Sequence, residues 1–164
     1  MILYLVRHGI AVDREDPQAP SEAERPLTAK GVQKTRAAAL GLQSLHVKPD
    51  VLITSPYVRA AQTAEIFAET LGFSLQKIRT HDALKPAANP ADIVREVIRV
   101  RTKEVMCFGH APHLDLTIAH IAGARAVFTT LKKAGVACLE YTASHGKWEL
   151  RWILTPRMLR QLAD

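Results

Sequence analysis

An arginine and a histidine stand side by side at Arg7-His8, with Gly9 next, at the end of an apolar run that begins at Met1. Neutral imidazole is a competent nucleophile near pH 7, because its ordinary pKa is about 6.5. Its covalent product with a phosphoryl donor is a phosphohistidine. Guanidinium offers a planar fork of donors that matches two phosphate oxygens and keeps its charge. Gly9 leaves room for backbone to approach an oxyanion, or for a positive φ. Three residues recur by chance, however. Taken alone, Arg7-His8 reads equally well as a surface pair at a strand end.

Two further segments shift that balance. Thr54-Ser55-Pro56-Tyr57-Val58-Arg59-Ala60-Ala61-Gln62-Thr63 follows the short apolar run Val51-Leu52-Ile53. Ser55 before Pro56 predicts a helix start, with the hydroxyl as N-cap and proline at the first position. Arg59 then falls in or just past the first turn, where backbone N–H groups and the helix dipole favour an anion. Its structural alternative is a solvated helix cation, although a cation is disfavoured at that end. The second segment is Val105-Met106-Cys107-Phe108-Gly109-His110-Ala111-Pro112-His113. Again an apolar strand ends in a histidine, followed by a proline-started helix. A lone histidine is usually structural. His110 is promoted because it repeats the first strand end.

The elements that must position these residues alternate along the chain. Met1–Val6 predicts the first strand. Residues 9–27 form a long polar loop with Pro17, Pro20 and Pro26, and such loops are commonly functional. Thr28 caps a helix to about Leu45, with Val32, Leu40 and Leu45 among its apolar positions. Strand Val51–Thr54 leads into a helix from Pro56 to Leu71, and 75–79 reads as a short strand. Asn89 and Pro90 open a third helix, with Ile93, Val97, Ile98 and Val100 on or near its buried face. A strand at Glu104–Phe108 and a helix from Pro112 to Ile121 follow, stopped by Gly123. Gly135–Thr142 and Lys147–Leu154 alternate in polarity around Ser144-His145-Gly146, a hairpin signal. Thr155-Pro156 starts a short terminal helix. The pattern predicts one α/β domain over residues 1–164. Its architecture is a three-layer α/β/α sandwich with a mostly parallel central sheet and a C-terminal antiparallel hairpin at one edge.

In such open sheets, ligands bind outside the carboxyl ends of the parallel strands. Arg7, His8, Arg59 and His110 each fall just past such an end. Their convergence would make a cationic pocket fitted to a tetrahedral dianion.

Arg7-His8-Gly9, Ser55-Pro56-x-x-Arg59-Ala60-x-Gln62-Thr63 and Gly109-His110 resemble the histidine phosphatase (phosphoglycerate mutase-like) superfamily. Arg25-Pro26-Leu27-Thr28-x-x-Gly31, Phe128-Thr129-Thr130 and Trp152-x-Leu154-Thr155-Pro156-x-x-Leu159 resemble its compact SixA-type phosphohistidine phosphatases. The resemblance spans nearly the whole chain. It implies a phosphatase acting on protein phosphohistidine through a covalent intermediate on His8. Arg7 and Arg59 would clamp the phosphoryl oxygens, Arg25 would approach the same phosphate, and His110 would stabilise the transition state. Phe128-Thr129-Thr130 would join the rim, and His81 and His113 would stand at its mouth. The implied partner is a histidine phosphotransfer domain, a phosphotransferase carrier or a small phosphate ester. The alternatives are a small-molecule phosphomonoesterase on the same site and a non-catalytic phosphate- or phosphoprotein-binding module. Paired histidines argue against mere binding, since arginines alone would hold phosphate.

A general acid is harder to find. Asp82 is the nearest candidate, with Asp13, Glu22 and Glu24 of the first loop behind it, each otherwise a solvated loop carboxylate. An imidazole leaves phosphorus more readily than an alkoxide does, so phosphohistidine has less need of such an acid.

Composition bounds the rest. With 164 residues, 48% of them hydrophobic, the chain can bury one good core. No apolar stretch is long enough for a bilayer span, and Met1–Val6 reads as a strand rather than a signal peptide. Cys107 and Cys138 read as buried free thiols, which fits a cytoplasmic protein. The net charge of +6, from 22 Lys and Arg against 16 Asp and Glu, suits an anionic substrate. Nucleic acid is disfavoured because aromatics are only 5% and no recognition motif is present. Arg95, Arg99, Arg101 and Lys103 read as a solvated helix face. His110 and His113 are too few for a metal site, and phosphoryl chemistry of this kind implies no metal and no cofactor. His46, His81, His120 and His145 read as loop or helix-surface residues.

Overall fold

The strand assignments follow from alternation. In β1 (Ile2–Arg7), Leu3 and Leu5 pack on one side while Tyr4 and Val6 pack on the other. In β4 (Glu104–Gly109), Val105 and Cys107 join the first side, and Met106 and Phe108 the second. Both faces of these central strands are therefore apolar, and both must be covered. The computed structural model describes residues 1–144 and 146–163. His145, placed by sequence in the hairpin turn, lies outside the described residues.

The covering layers are helices. The face bearing Tyr4, Val6, Leu52, Met106 and Phe108 is packed by α1 (Ala29–Ser44), α2 (Val58–Leu71) and α5 (Pro156–Leu162), through residues such as Leu42, Phe67 and Leu159. The opposite face is packed by α3 (Pro90–Val100) and α4 (His113–Ile121), through Ile93, Val97, Leu114 and Ile118. The remaining strands are β2 (Val51–Thr54), β3 (Arg79–Thr80), β5 (Val136–Thr142) and β6 (Lys147–Leu154). The sheet order is β3-β2-β4-β1-β5-β6. The first four strands in that order pair in parallel, and β5 and β6 add antiparallel pairings at one edge. This is the three-layer sandwich that the alternation predicts.

Helix starts were partly legible. Thr28, Asn89 and Thr155 each accept a hydrogen bond from the first turn of their helix. Ser55 does not act as an N-cap: α2 begins at Val58 with Tyr57 as its cap, and that cap makes no side-chain bond. Residues 75–79 are mostly a 3-10 turn, Leu75–Lys77, with strand only at Arg79–Thr80. Val32, Leu40, Leu45 and Ile98 are exposed. The buried face of α1 instead carries small residues, Ala38, Ala39 and Gly41 beside Leu42. Cys107 and Cys138 are buried free thiols. Among the described residues, no helix is long and apolar enough to cross a membrane.

Small residues on α1 let α5 approach to backbone contact. A Cβ built on Gly41 would lie 1.7 Å from the carbonyl oxygen of Leu159. Gly41→Ala therefore has to push the two helices apart. The gain in helix propensity, about 1 kcal/mol, is outweighed by overpacking against rigid backbone. A net loss of about 2 kcal/mol is expected, read as a lower urea midpoint with an unchanged slope.

Candidate active site

The site assembles at the carboxyl ends of β1, β4 and β2. Arg7 pairs with Gly109 in the parallel register, and the His8 amide donates to the Gly109 carbonyl at 3.0 Å. His8 and His110 thus leave neighbouring strands side by side, with ring centroids 5.2 Å apart. On the other flank of β4, the Ser55 amide donates to the Phe108 carbonyl at 2.9 Å. That places the Ser55 hydroxyl 2.9 Å from His110 Nε2. The group expected to cap a helix is held by a catalytic-site candidate instead.

Arg59 reaches the same point from the buried face of α2, where it recurs at helical spacing with Thr63 and Phe67. It is only 3% exposed. Its Nε donates to His8 Nε2 at 3.3 Å, and its guanidinium lies over the Tyr57 ring. Gln62 and Thr63, quoted with the Arg59 motif, are positioning residues. Gln62 Oε1 accepts from the Leu27 amide and tethers the long loop. Thr63 Oγ1 accepts from the Gly9 amide at 3.0 Å and ties the His8 segment to α2.

The geometry defines His8 chemically. Nδ1 lies 2.7 Å from the carbonyl oxygen of Gly9. A carbonyl only accepts, so Nδ1 carries the proton, and Nε2 offers its lone pair toward Arg59. Burial pulls the His8 pKa down to about 3, with Arg59 and Arg7 adding to the effect against the Gly9 bond. Burial likewise pulls His110 down to about 2, helped by His8 and Arg59. Both rings are neutral at pH 7. Arg7 donates from Nη1 to the Leu131 carbonyl at 2.8 Å, while its buried Nε has no partner.

A hollow of about 270 Å³ lies among these groups. Arg7, His8, Arg25, Arg59 and His110 all line it, as do Asp13, Glu22 and Lys133. The predicted convergence is therefore observed for Arg7, His8, Arg59 and His110. Two expected contributors act differently. Gly9 does not line the hollow, and its amide is already bonded to Thr63. A side chain there would collide with Thr35, whose Oγ1 lies 2.3 Å from the Cβ position. Packing, not a phosphate contact, is the reason for glycine. Arg25 does line the hollow, but its guanidinium is engaged by the Glu22 carboxylate and the Val12 carbonyl.

Glu22 is the residue that sequence reasoning undervalued. Its carboxylate bonds Arg25 through both oxygens, at 2.8 and 2.9 Å, and takes Arg59 Nη2 at 2.9 Å. Hydrogen bonding to Arg25, with Arg59 nearby, holds it below the usual carboxylate range. It is an ion-paired anchor, although its side chain remains 44% exposed. Asp115 was missed altogether. Buried in α4, its Oδ1 accepts from the Leu131 amide at 2.8 Å and from Thr129, so it fixes the carbonyl that holds Arg7. A buried aspartate inside an otherwise apolar helical turn was its only signal.

Other candidates lie elsewhere. Asp82 pairs with Lys85 and is 74% exposed, on a 3-10 turn beyond β3 and outside the hollow. His81 borders a separate cleft with Asp82 and Glu96. His113 is buried with neither ring nitrogen bonded, and it does not reach the hollow. Glu24 bonds Ser21, and Phe128 is exposed away from the hollow.

Two neutral imidazoles and converging guanidiniums around one hollow, on an open α/β sheet, describe a phosphoryl-transfer enzyme of the phosphatase class. The chain belongs to the histidine phosphatase superfamily (branch 1), whose sequence profile matches residues 3–89; it is a hydrolase that works through a histidine nucleophile. An uncharacterized protein of Picosynechococcus sp. PCC 7002 is 34% identical, across 97% of this chain and 99% of its own. The phosphohistidine phosphatase SixA of Escherichia coli K12 is 26% identical, across 98% of this chain and 97% of its own. A solved structure of the protein histidine phosphatase SixA with tungstate superposes with a TM-score of 0.84 at 22% identity, covering 96% of this chain and 98% of that one. That last likeness concerns the fold.

Two outcomes follow from the electrostatics. The unfolded imidazoles titrate near the ordinary 6.5, but the folded His8 and His110 only near 3 and 2. As pH falls, the unfolded state takes up protons first, so stability is full above about 6.5 and is lost progressively toward 3. The urea midpoint should fall from pH 7 to pH 4, and the decline should be shallower in His8→Gln/His110→Gln. Glu22 also competes for Arg59 with any incoming anion. Glu22→Gln should bind inorganic phosphate about threefold to tenfold more tightly by calorimetry. Weaker binding would mean that the carboxylate's main service is to hold the arginines in place.

Proposed function

We propose that this chain is a phosphohistidine phosphatase in which His8 is the nucleophile. The observation that carries the reading is the state of His8: neutral, protonated on Nδ1, with Nε2 free of a proton at the edge of the hollow beside Arg59.

The chemistry balances without a protein acid. Nε2 of His8 attacks phosphorus, and the P–N bond to the substrate imidazole breaks. When the other ring nitrogen of that imidazole carries a proton, the ring leaves neutral. His8 then carries the phosphoryl group on Nε2, with its Nδ1 proton still held by the Gly9 carbonyl. Water attacks phosphorus, the P–Nε2 bond breaks, phosphate departs and neutral His8 is restored. Arg7 and Arg59 hold the equatorial oxygens in both steps. His110, with Ser55 on its Nε2, is placed to stabilise the same charge. A phosphoryl dianion beside it opposes the effect of Arg59 and Arg7 and favours a more basic ring.

Glu22 is too firmly ionised to serve as a general acid, and Asp82 is outside the hollow. This supports a preference for phosphohistidine over alkyl esters. A second reading keeps a specific support. Asp13 lines the hollow, and a proton given from it to an alkoxide would make the chain a small-molecule phosphomonoesterase. The physiological donor, in the proposed reading, is a phosphotransfer domain or carrier protein.

Two measurements separate the readings. Wild-type protein given a labelled phosphohistidine donor should trap acid-labile phosphate, and His8→Ala should trap none. Label on His8→Ala would sink the assignment of the nucleophile. Arg59→Ala should lower kcat/KM by about 100-fold. Efficient turnover of a sugar phosphate, abolished in Asp13→Asn, would favour the phosphomonoesterase.

A further inference from the structure

Beside the hollow lies a second, larger groove of about 490 Å³. Arg7, Lys34, Lys132, Lys133, Arg157 and Arg160 line it, and among the described residues no carboxylate does. Its cations come from four separated segments: the end of β1, the middle of α1, the loop before β5, and α5. Arg7 and Lys133 line both cavities, so groove and hollow share a wall.

Unpaired cations occur elsewhere on the surface, but here six of them line a single groove. Among the described residues, Arg14, Arg25, Arg36, Arg59, Lys85, Arg95, Arg99 and Arg151 each pair with a carboxylate. None of the six groove cations does. Holding several unpaired cations together is unfavourable through mutual repulsion, and an anionic partner relieves it. The phosphoryl group is already accommodated next door. Whatever the groove takes therefore belongs to the body that carries the phosphoryl group.

We propose that the groove docks an acidic surface segment of the phosphoprotein substrate, an inference that rests on the phosphohistidine reading above. Spread charges on four segments fit several carboxylates along a chain better than one further point anion. Apolar surface from Ile10 and Pro156 suits a peptide backbone between those carboxylates. Nucleic acid is a poorer fit, because no aromatic ring lines the groove to stack on a base. A docking field of this kind raises encounter and lowers KM, is weakened by salt, and leaves the chemical step alone.

The test uses two synthetic peptides that share one phosphohistidine, flanked by Glu in one and by Gln in the other, with phosphoramidate as a small donor. Wild-type protein should show a kcat/KM about tenfold higher for the Glu peptide at low salt, fading near 0.5 M NaCl. Lys34→Gln/Arg157→Gln/Arg160→Gln should reduce that preference to less than about twofold while turning over phosphoramidate at the wild-type rate. The phosphoramidate rate also reports that the variant is folded. The single variant Arg157→Gln, at an exposed position, should give a partial loss in the same direction. A preference unchanged in both variants overturns the docking and leaves the phosphatase reading standing. Equal losses on phosphoramidate and both peptides overturn it too, because the groove would then act on the reaction itself. Wild-type protein that hydrolyses aryl phosphate but neither phosphohistidine peptide removes the underlying reading, and the docking with it.

Discussion

The parallel register of β1 against β4 is the constraint on which the site depends. Arg7 stands opposite Gly109, and the next step of the ladder is the His8 amide on the Gly109 carbonyl. In a strand, a slip of one residue sends every side chain to the other face. Such a slip would bury Arg7 under a helical layer and part the two imidazoles. Slippage is opposed by the whole two-sided core, because Leu3, Leu5, Tyr4 and Val6 each have a layer of their own to fill. The apolar sandwich thus sets a distance between two polar rings to which it contributes no atom.

Burial then does the electrostatic work. Taking His8 and His110 out of water costs their charged forms, and nearby guanidiniums raise that cost. A nucleophile with a free lone pair at neutral pH is a direct consequence. Arg25 and Arg59 are themselves buried, Arg7 is half-buried, and each needs an acceptor. Glu22 serves Arg25 and Arg59, and Arg7 donates to the Leu131 carbonyl. The loop that carries Glu22 is held by Gln62 on the Leu27 amide. One helix, α2, therefore supplies a phosphate ligand candidate, the tether of the covering loop, and the bond that fixes Gly9.

Legibility followed from how far along the chain each partner lay. Strand ends were readable because an apolar run that stops at Arg7-His8 or Gly109-His110 announces both the sheet and the crevice. Thr28, Asn89 and Thr155 were readable because capping is local. Ser55 misled for the opposite reason: its hydroxyl has a tertiary partner, His110, and the helix starts later. Asp82 misled because closeness to a proline turn carries no information on place in the sheet. It follows β3, the edge strand farthest from the hairpin, and its charge is taken by Lys85. Gly9 was correctly singled out for the wrong contact, since the atom that excludes a Cβ is on Thr35, 26 positions away. Glu22 and Asp115 could be recognised only once Arg59 and the Arg7–Leu131 bond were in place.

The arrangement separates two tasks that the sequence states in one vocabulary of basic residues. Around the hollow, Arg25 and Arg59 are buried and tied to Glu22, while Arg7 is half-buried on the Leu131 carbonyl. Along the groove, cations are unpaired and mostly on the rim, where each contributes little alone but their field adds. Arg7 and Lys133 belong to both, so an anion drawn to the groove is already within reach of the residues that surround His8. With phosphohistidine as the proposed substrate, the chemical step needs no strong acid and puts little demand on the leaving group's surroundings. In that reading, discrimination between one phosphorylated donor and another comes from contacts beyond the phosphoryl group, and the groove beside the hollow is where we propose them.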